Sequence, residues 1–351
     1  MYSGVKVLDV HQHIVAPAAM GNFRNTLGTL RWAPREFRVS DDQMEQSCQE
    51  HLRYCDERNI DCLFVSPRTV GMMHWEQLFL QQKWAEATNN VMDQQHRLHP
   101  DRIFGVAQLP QNVNLDTRHC VAELERCFKD LHGFVAAIVN PDPGSDGEYP
   151  PMNHEHWYPL YEKAQELDAV LIVHPSFTRD KWDMWGSVPH NYQMNFVIQE
   201  FISWNVLEHS EVFDVFPRLK VVICHCGGSL SRFSGYNDHR LRKERTGNLY
   251  FDTCAYDRQF LETAIKQWGT DHMMFGTEAP GSGRRINPET GRSDDDLVPM
   301  IDSFGFLSPE EKIAIVNTNI KQAFTHFKEP DEVKPAAPVA AGTEMRWGSG
   351  A

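Results

Sequence analysis

The chain has 351 residues, 41% hydrophobic and 23% charged, which suffices for the core of one large domain or two small ones. Its 34 basic and 48 acidic residues leave a net charge of -14, which argues against a nucleic acid or an anionic membrane surface as partner; local arginines still permit a small anionic carboxylate substrate. No stretch approaches about 18 uninterrupted apolar residues and the N-terminus runs straight into a strand, so a cytoplasmic protein without a membrane span is expected.

In chain order, β-rich apolar runs recur at Val5–Val10, Ile60–Val65, Ile103–Leu109, Gly133–Val139, Ala169–Val173, Lys220–Cys224, Leu249–Thr253 and Met273–Gly276. Helical periodicity fills much of the intervening chain, at Asp41–Asn59, Glu76–Leu98, Asp116–Leu131, Glu155–Leu167 and Phe260–Trp268. Near-continuous apolar strands alternating with helices imply a parallel sheet covered on both faces, and a count of eight favours a closed (β/α)8 TIM barrel over an open doubly wound sheet. An open sheet would carry a glycine-rich phosphate loop after its first strand, where this chain has His11-Gln-His13. One barrel domain is expected over residues 1–327, with Ala16–Phe37 and Phe177–Tyr192 as long pocket-side loops. Residues 328–351, rich in proline, alanine and charge, read as a tail that is flexible or clasps a neighbouring subunit of a homo-oligomer, dimer or larger. The eight cysteines form no Cys-x-x-Cys pair and are expected as reduced core thiols.

Chemistry gathers at the strand ends. His11 and His13, two apart on an extended segment, point to one face and can reach one metal ion. His174 follows the fifth strand, His225 the sixth and Glu278 the eighth, and in a barrel all of these ends ring a single pocket. Alone, each histidine is more simply a hydrogen-bonded structural residue, and Glu278 has a possible salt-bridge partner in Arg284 or Arg285. Imidazole and carboxylate together suit one divalent ion, with Zn2+ expected and Mn2+ the alternative, held by His11, His13, His174 and Glu278. His225 is expected to act as the general acid or base, with a fifth ligand as its competing role; Glu278 is counted with it among the catalytic residues.

The motifs Asp9-Val-His-Gln-His13, His174-Pro-Ser, His225-Cys-Gly-Gly228 and Phe275-Gly-Thr-Glu278 resemble the amidohydrolase superfamily, in its aminocarboxymuconate-semialdehyde decarboxylase-like branch, over about residues 5 to 325. Most of that branch has aspartate where this chain has Glu278. Ser66-Pro-Arg68, Asn140-Pro-Asp-Pro143, Phe251-Asp-Thr-Cys254 and Ile286-Asn-Pro-Glu-Thr-Gly291 make the 4-oxalomesaconate hydratases the nearest resemblance within it. Those enzymes, and a related carbon–carbon hydrolase of meta-cleavage products, also use glutamate there. The resemblance implies water addition to an oxo-di- or tricarboxylate from aromatic ring cleavage. Carbon–carbon hydrolysis and nonoxidative decarboxylation are the enzymatic alternatives, and a noncatalytic metal-binding barrel is the remote one. After Gly228 the chain reads Ser-Leu-Ser-Arg-Phe, unlike those relatives, so a substrate other than oxalomesaconate is compatible with the resemblance.

An anionic substrate needs fixed cations, and arginine offers a planar fork. Arg68, ending an apolar strand, is the first candidate, with Arg284 and Arg285 next and His74 after them. Arg68 has a structural alternative, bracing the Asn140–Asp142 loop through Asp142; Arg284 and Arg285 read equally as a solvated loop pair.

Overall fold

The computed structural model describes residues 1–29, 36–145, 147–176, 191–230, 248–288 and 290–338. Eight parallel strands follow one another in sequence order, β1 (Leu8–His13), β2 (Cys62–Ser66), β3 (Ile103–Gln108), β4 (Phe134–Val139), β5 (Val170–Val173), β6 (Lys220–Ile223), β7 (Leu249–Asp252) and β8 (Met273–Met274). The ring closes where Val10 N–H donates to Phe275 O at 3.0 Å and Glu278 N–H donates to His11 O at 2.7 Å. Asp9 reinforces that seam. Its buried carboxylate accepts from Thr277 Oγ1 at 2.6 Å, Gln12 Nε2 at 2.7 Å and the His11 amide at 3.0 Å. The expected (β/α)8 barrel is therefore the fold.

Strands such as Phe134–Val139 and Val170–Val173 are apolar and buried along their whole length because both faces are covered, by barrel interior on one side and by helices on the other. Helix α2 (Asp41–Asp56) shows how the outer layer is specified. Ser40 Oγ accepts from the Gln43 amide at its N-terminus, Asp41 and Asp42 favour the positive end of the helix dipole, and Met44, Cys48, Leu52 and Cys55 form the buried stripe. Helices α3 (Leu78–Leu98), α4 (Val121–Lys129) and α5 (Tyr158–Glu166) fall within the periodic segments. All eight cysteines are free and buried. Among the described residues, no helix is long and apolar enough to cross a membrane.

Two elements differ from the sequence reading. The segment Ala16–Phe37, expected as a loop, contains helix α1 (Ala18–Thr29), whose Met20, Phe23 and Leu27 are buried in the core. Its glycine and asparagines hid a stripe at helical spacing. Strand β1 runs three residues past Val10 because Gln12 and His13 continue the pairing with Val65 and Ser66. The Phe177–Tyr192 reading lies outside the described residues through position 190.

Residues 328–338 run along this chain's own barrel. Buried Arg102 donates to Lys334 O at 2.7 Å, Asp56 Oδ1 at 2.7 Å and Ile60 O at 3.0 Å, while Ala336 N–H donates to Asp56 Oδ2 at 2.7 Å. Phe327 packs edge-on to Phe104, with ring centroids 4.7 Å apart. Removing one partner of such a buried network leaves several acceptors unsatisfied, so Arg102→Met should cost about 3 kcal/mol of stability while metal content stays unchanged. Denaturant titration with metal analysis of the folded variant checks this, and a melting curve equal to that of the parent would contradict it.

Candidate metal centre

The C-terminal ends of β1, β5 and β8 bring His11, His13, His174 and Glu278 together, each buried, with ligand-capable atoms within 4.8 Å of one another. The far nitrogen of each histidine is already engaged. His11 Nδ1 lies 2.7 Å from Asp252 Oδ2, and His174 Nδ1 lies 2.7 Å from Pro175 O. His13 Nδ1 lies 3.0 Å from Ser66 Oγ, whose own hydrogen goes to Gln12 O at 3.0 Å. Carbonyl, carboxylate and a hydroxyl already donating all accept, so the three imidazoles carry hydrogen on Nδ1 and turn the Nε2 lone pair inward. His11 Nε2 and His174 Nε2 are buried with no hydrogen-bond partner. Such orphaned acceptors are rare in a packed interior and fit a bound cation.

Electrostatics agrees for His13 and His174, whereas His11 is raised above its ordinary value, burial being outweighed by Cys224 and the Asp252 carboxylate. Burial lowers His13 to about 4 and drives His174 well below its ordinary value, keeping both in the neutral form a metal requires. Glu278 falls well below the usual carboxylate range: burial opposes its charge, but the imidazoles of His13 and His225, each 3.8 Å from Oε1, prevail. Its Oε2 accepts from Ser282 Oγ at 2.6 Å and Tyr256 Oη at 3.0 Å, which leaves Oε1 for the cluster. Neither Arg284 nor Arg285 pairs with it among the described residues. Two sulfur-containing groupings, His11–His225–Cys254 and His11–Cys224–Asp252, overlap the same space. The second is weaker, because burial pushes the Cys224 thiol up to about 12 and Asp252 is committed to His11. The donor set of three imidazoles and one carboxylate is therefore the one that fits a divalent ion.

His225 stands beside this set. Its Nε2 is 3.8 Å from Glu278 Oε1, and its Nδ1 is 2.7 Å from Glu200 Oε1. Burial disfavours its charge, but the Glu200 carboxylate outweighs that and raises the imidazole well above its ordinary value. Glu200 itself is pushed up to about 7 by burial, against the pull of His225. One proton is thus shared by a buried pair opening on the metal pocket. Helix α6 (Asn191–Glu208) carries Glu200, and its close approach depends on Gly228: a Cβ there would lie 2.1 Å from Val197 O, and φ is +78°. Gly276 does the same for Asp252, since a Cβ there would meet both the Asp252 and the His11 Cβ at 2.9 Å.

The other sequence candidates fall around this centre. Arg68 is exposed, and its one hydrogen bond among the described residues is to Pro280 O at 3.5 Å. The Asp142 carboxylate is instead met by the Gly147 amide at 2.9 Å and Gln199 at 3.2 Å. Arg284 is exposed and among the described residues bonded only to Gly281 O at 3.1 Å, whereas Arg285 is paired with Asp294 at 2.7 Å. His74 is fully buried, with Nδ1 2.9 Å from Gln111 O, and burial lowers it to about 4. Sequence reasoning gave no role to Asp252, Glu200, Tyr256 or Ser282. Asp252 closes strand β7 and was visible as a strand-end acid, but Glu200 lies within a helix and carried no signal.

Residues 8–325 match the Amidohydrolase family (Amidohydro_2), and the chain belongs to it. It is 31% identical over 334 residues to 2-keto-4-carboxy-3-hexenedioate hydratase of Sphingobium sp. (strain NBRC 103272 / SYK-6), covering 91% of this chain and 96% of that protein. The crystal structure of 4-oxalomesaconate hydratase from Rhodopseudomonas palustris superposes with a TM-score of 0.77 at 28% identity, over 91% of this chain and 96% of that one. A dihydroxybenzoic acid decarboxylase from Polaromonas sp. JS666, solved with bound manganese, shares the fold at a TM-score of 0.66 and 20% identity, over 91% and 97%. The chain is an enzyme of the lyase or hydrolase type.

Asp252→Asn should keep the fold but release its hold on the His11 tautomer, weakening metal affinity by about 10- to 100-fold. Competition with a chromogenic chelator measures this, and unchanged affinity would remove Asp252 from the site.

Proposed function

We propose that the protein is a metal-dependent hydratase acting on an oxo-di- or tricarboxylate from aromatic ring cleavage. The observation that carries this reading is the His225–Glu200 pair, a proton-holding unit opening onto a centre of three imidazoles and one carboxylate. Similarity across nearly the full length of two hydratases supports it. His11, His13, His174 and Glu278 would hold the ion, zinc in this reading and manganese as the alternative; when bound, it supplies a Lewis acid for water or a substrate oxygen.

Hydration requires a water oxygen to bond to the electron-poor carbon of the alkene while the neighbouring carbon takes a proton. His225 is placed to move that proton at Nε2, with Glu200 balancing the charge through Nδ1. Arg68, Arg284 and Arg285 are the proposed carboxylate partners; Arg285 would first have to leave Asp294, so it ranks last. His74, neutral and with Nδ1 donating to Gln111 O, has a lone pair at its buried Nε2, so its part in this reading is to accept from a substrate hydroxyl and not to hold a carboxylate. Free buried thiols fit a reducing compartment, and a cytoplasmic homo-oligomer completes the proposal.

Incubating the metal-loaded enzyme with oxo-acid ring-cleavage products, in 18O-labelled water and under carbon NMR, separates the possible reactions. Hydration predicts a new labelled alcohol carbon with every substrate carbon retained. Release of CO2, or scission into two acids, would replace the hydratase reading with decarboxylation or carbon–carbon hydrolysis. His225→Asn should retain the metal and lose about 10²- to 10⁴-fold in turnover. Loss of metal in that variant would make His225 a ligand instead.

A further inference from the structure

Helix α1 brings a third arginine to the pocket. Arg24 joins Arg68 and Arg284 in lining one cleft of about 360 Å³, a volume suited to a small molecule. The cleft adjoins the metal centre through the chain itself. Ile14 follows His13, Pro67 follows Ser66, and Pro280 lies two residues beyond Glu278. The Arg24 guanidinium fills space that Gly71 leaves open, since a Cβ at Gly71 would come within 2.5 Å of Arg24 Nη1. Gly71 in turn is tied to the Arg68 carbonyl at 2.9 Å, so the short turn after β2 sets Arg24 and Arg68 together.

Among the described residues none of the three arginines has an ion-pair partner, although the chain carries 48 acidic residues. Among the described residues Glu50 is the one carboxylate on the cleft wall, leaving a local excess of positive charge in a protein of net charge -14. An excess of like charge repels, and an anion in the cleft relieves that repulsion. Desolvation and the nearby Arg284 disfavour the Arg68 charge, and outweigh the nearby Glu278 that favours it.

Resting on the hydratase reading, we propose that Arg24, Arg68 and Arg284 form the subsite for the substrate carboxylates remote from the metal, and that Arg24 sets the preference for a tricarboxylate over a dicarboxylate. Each guanidinium offers a planar fork, and three of them match more carboxylate than a dicarboxylate with one end at the metal can present.

The test is calorimetric titration of the metal-loaded full-length protein with propane-1,2,3-tricarboxylate and with glutarate, neither of which has an alkene to hydrate, at constant ionic strength. The tricarboxylate should bind more tightly than glutarate. Arg24→Met should weaken it by about tenfold and glutarate by less, with metal content unchanged, and Arg24→Lys should fall between, keeping the charge but not the fork. Should Arg24→Met fail to fold, the lysine variant still has to show the loss of preference. Equal affinities in wild type and variants, or equal losses for both ligands, would overturn the subsite. Arg24-dependent tricarboxylate binding in an enzyme that hydrates nothing would leave the subsite standing and remove the hydratase reading. Hydration with Arg24-independent binding would do the reverse.

Discussion

Where each Nδ1 hydrogen goes decides what the barrel mouth can do. A neutral imidazole has one donor and one acceptor, so a histidine whose Nδ1 faces an acceptor must present a lone pair at Nε2. Asp252, Ser66 and Pro175 O impose this on His11, His13 and His174. Three inward lone pairs beside a carboxylate form an arrangement whose desolvation only a cation repays. The rest of the site follows from the same constraint. Tyr256 and Ser282 occupy the other Glu278 oxygen, and Glu200 gives His225 the same kind of support as the three imidazoles receive.

The backbone is bent to serve these contacts. His225, Cys226 and Glu278 all lie at positive φ, 48°, 56° and 59°, in a region that costs a non-glycine residue about 1 to 2 kcal/mol. Helix α6 meets the same end of the barrel closely enough that Gly228 admits no side chain. The seam between β8 and β1, where Asp9 is bound to Thr277 and Gln12, holds His11 and Glu278 in register across the closure. Stability and site geometry thus share residues, and changes at Asp9 or Gly276 disturb both.

Much of this was legible in the sequence because parallel strands covered on both faces announce themselves as continuous apolar runs, and the residue that ends each run must face the mouth. That argument reached His11, His13, His174, His225, Glu278 and Arg68 without any knowledge of contacts. It stopped at residues whose role depends on packing. Glu200 sits in a helix that reads as mixed apolar and polar, and only the approach of α6 to Gly228 turns it toward His225. Arg24 lies in a segment whose glycine and asparagines masked a helix, so its delivery to the cleft was invisible. Arg285 looked equivalent to Arg284, but the loop that follows folds back to give it Asp294.

The central claim is the identity of the ligand set, and X-ray absorption at the edge of the metal bound to the purified protein tests it most directly. The account predicts a first shell of nitrogen and oxygen alone, at about 2.0 to 2.2 Å for zinc, with the outer-ring scattering of three imidazoles. A sulfur scatterer at about 2.3 Å would instead place the ion on Cys254 or Cys224 and contradict it.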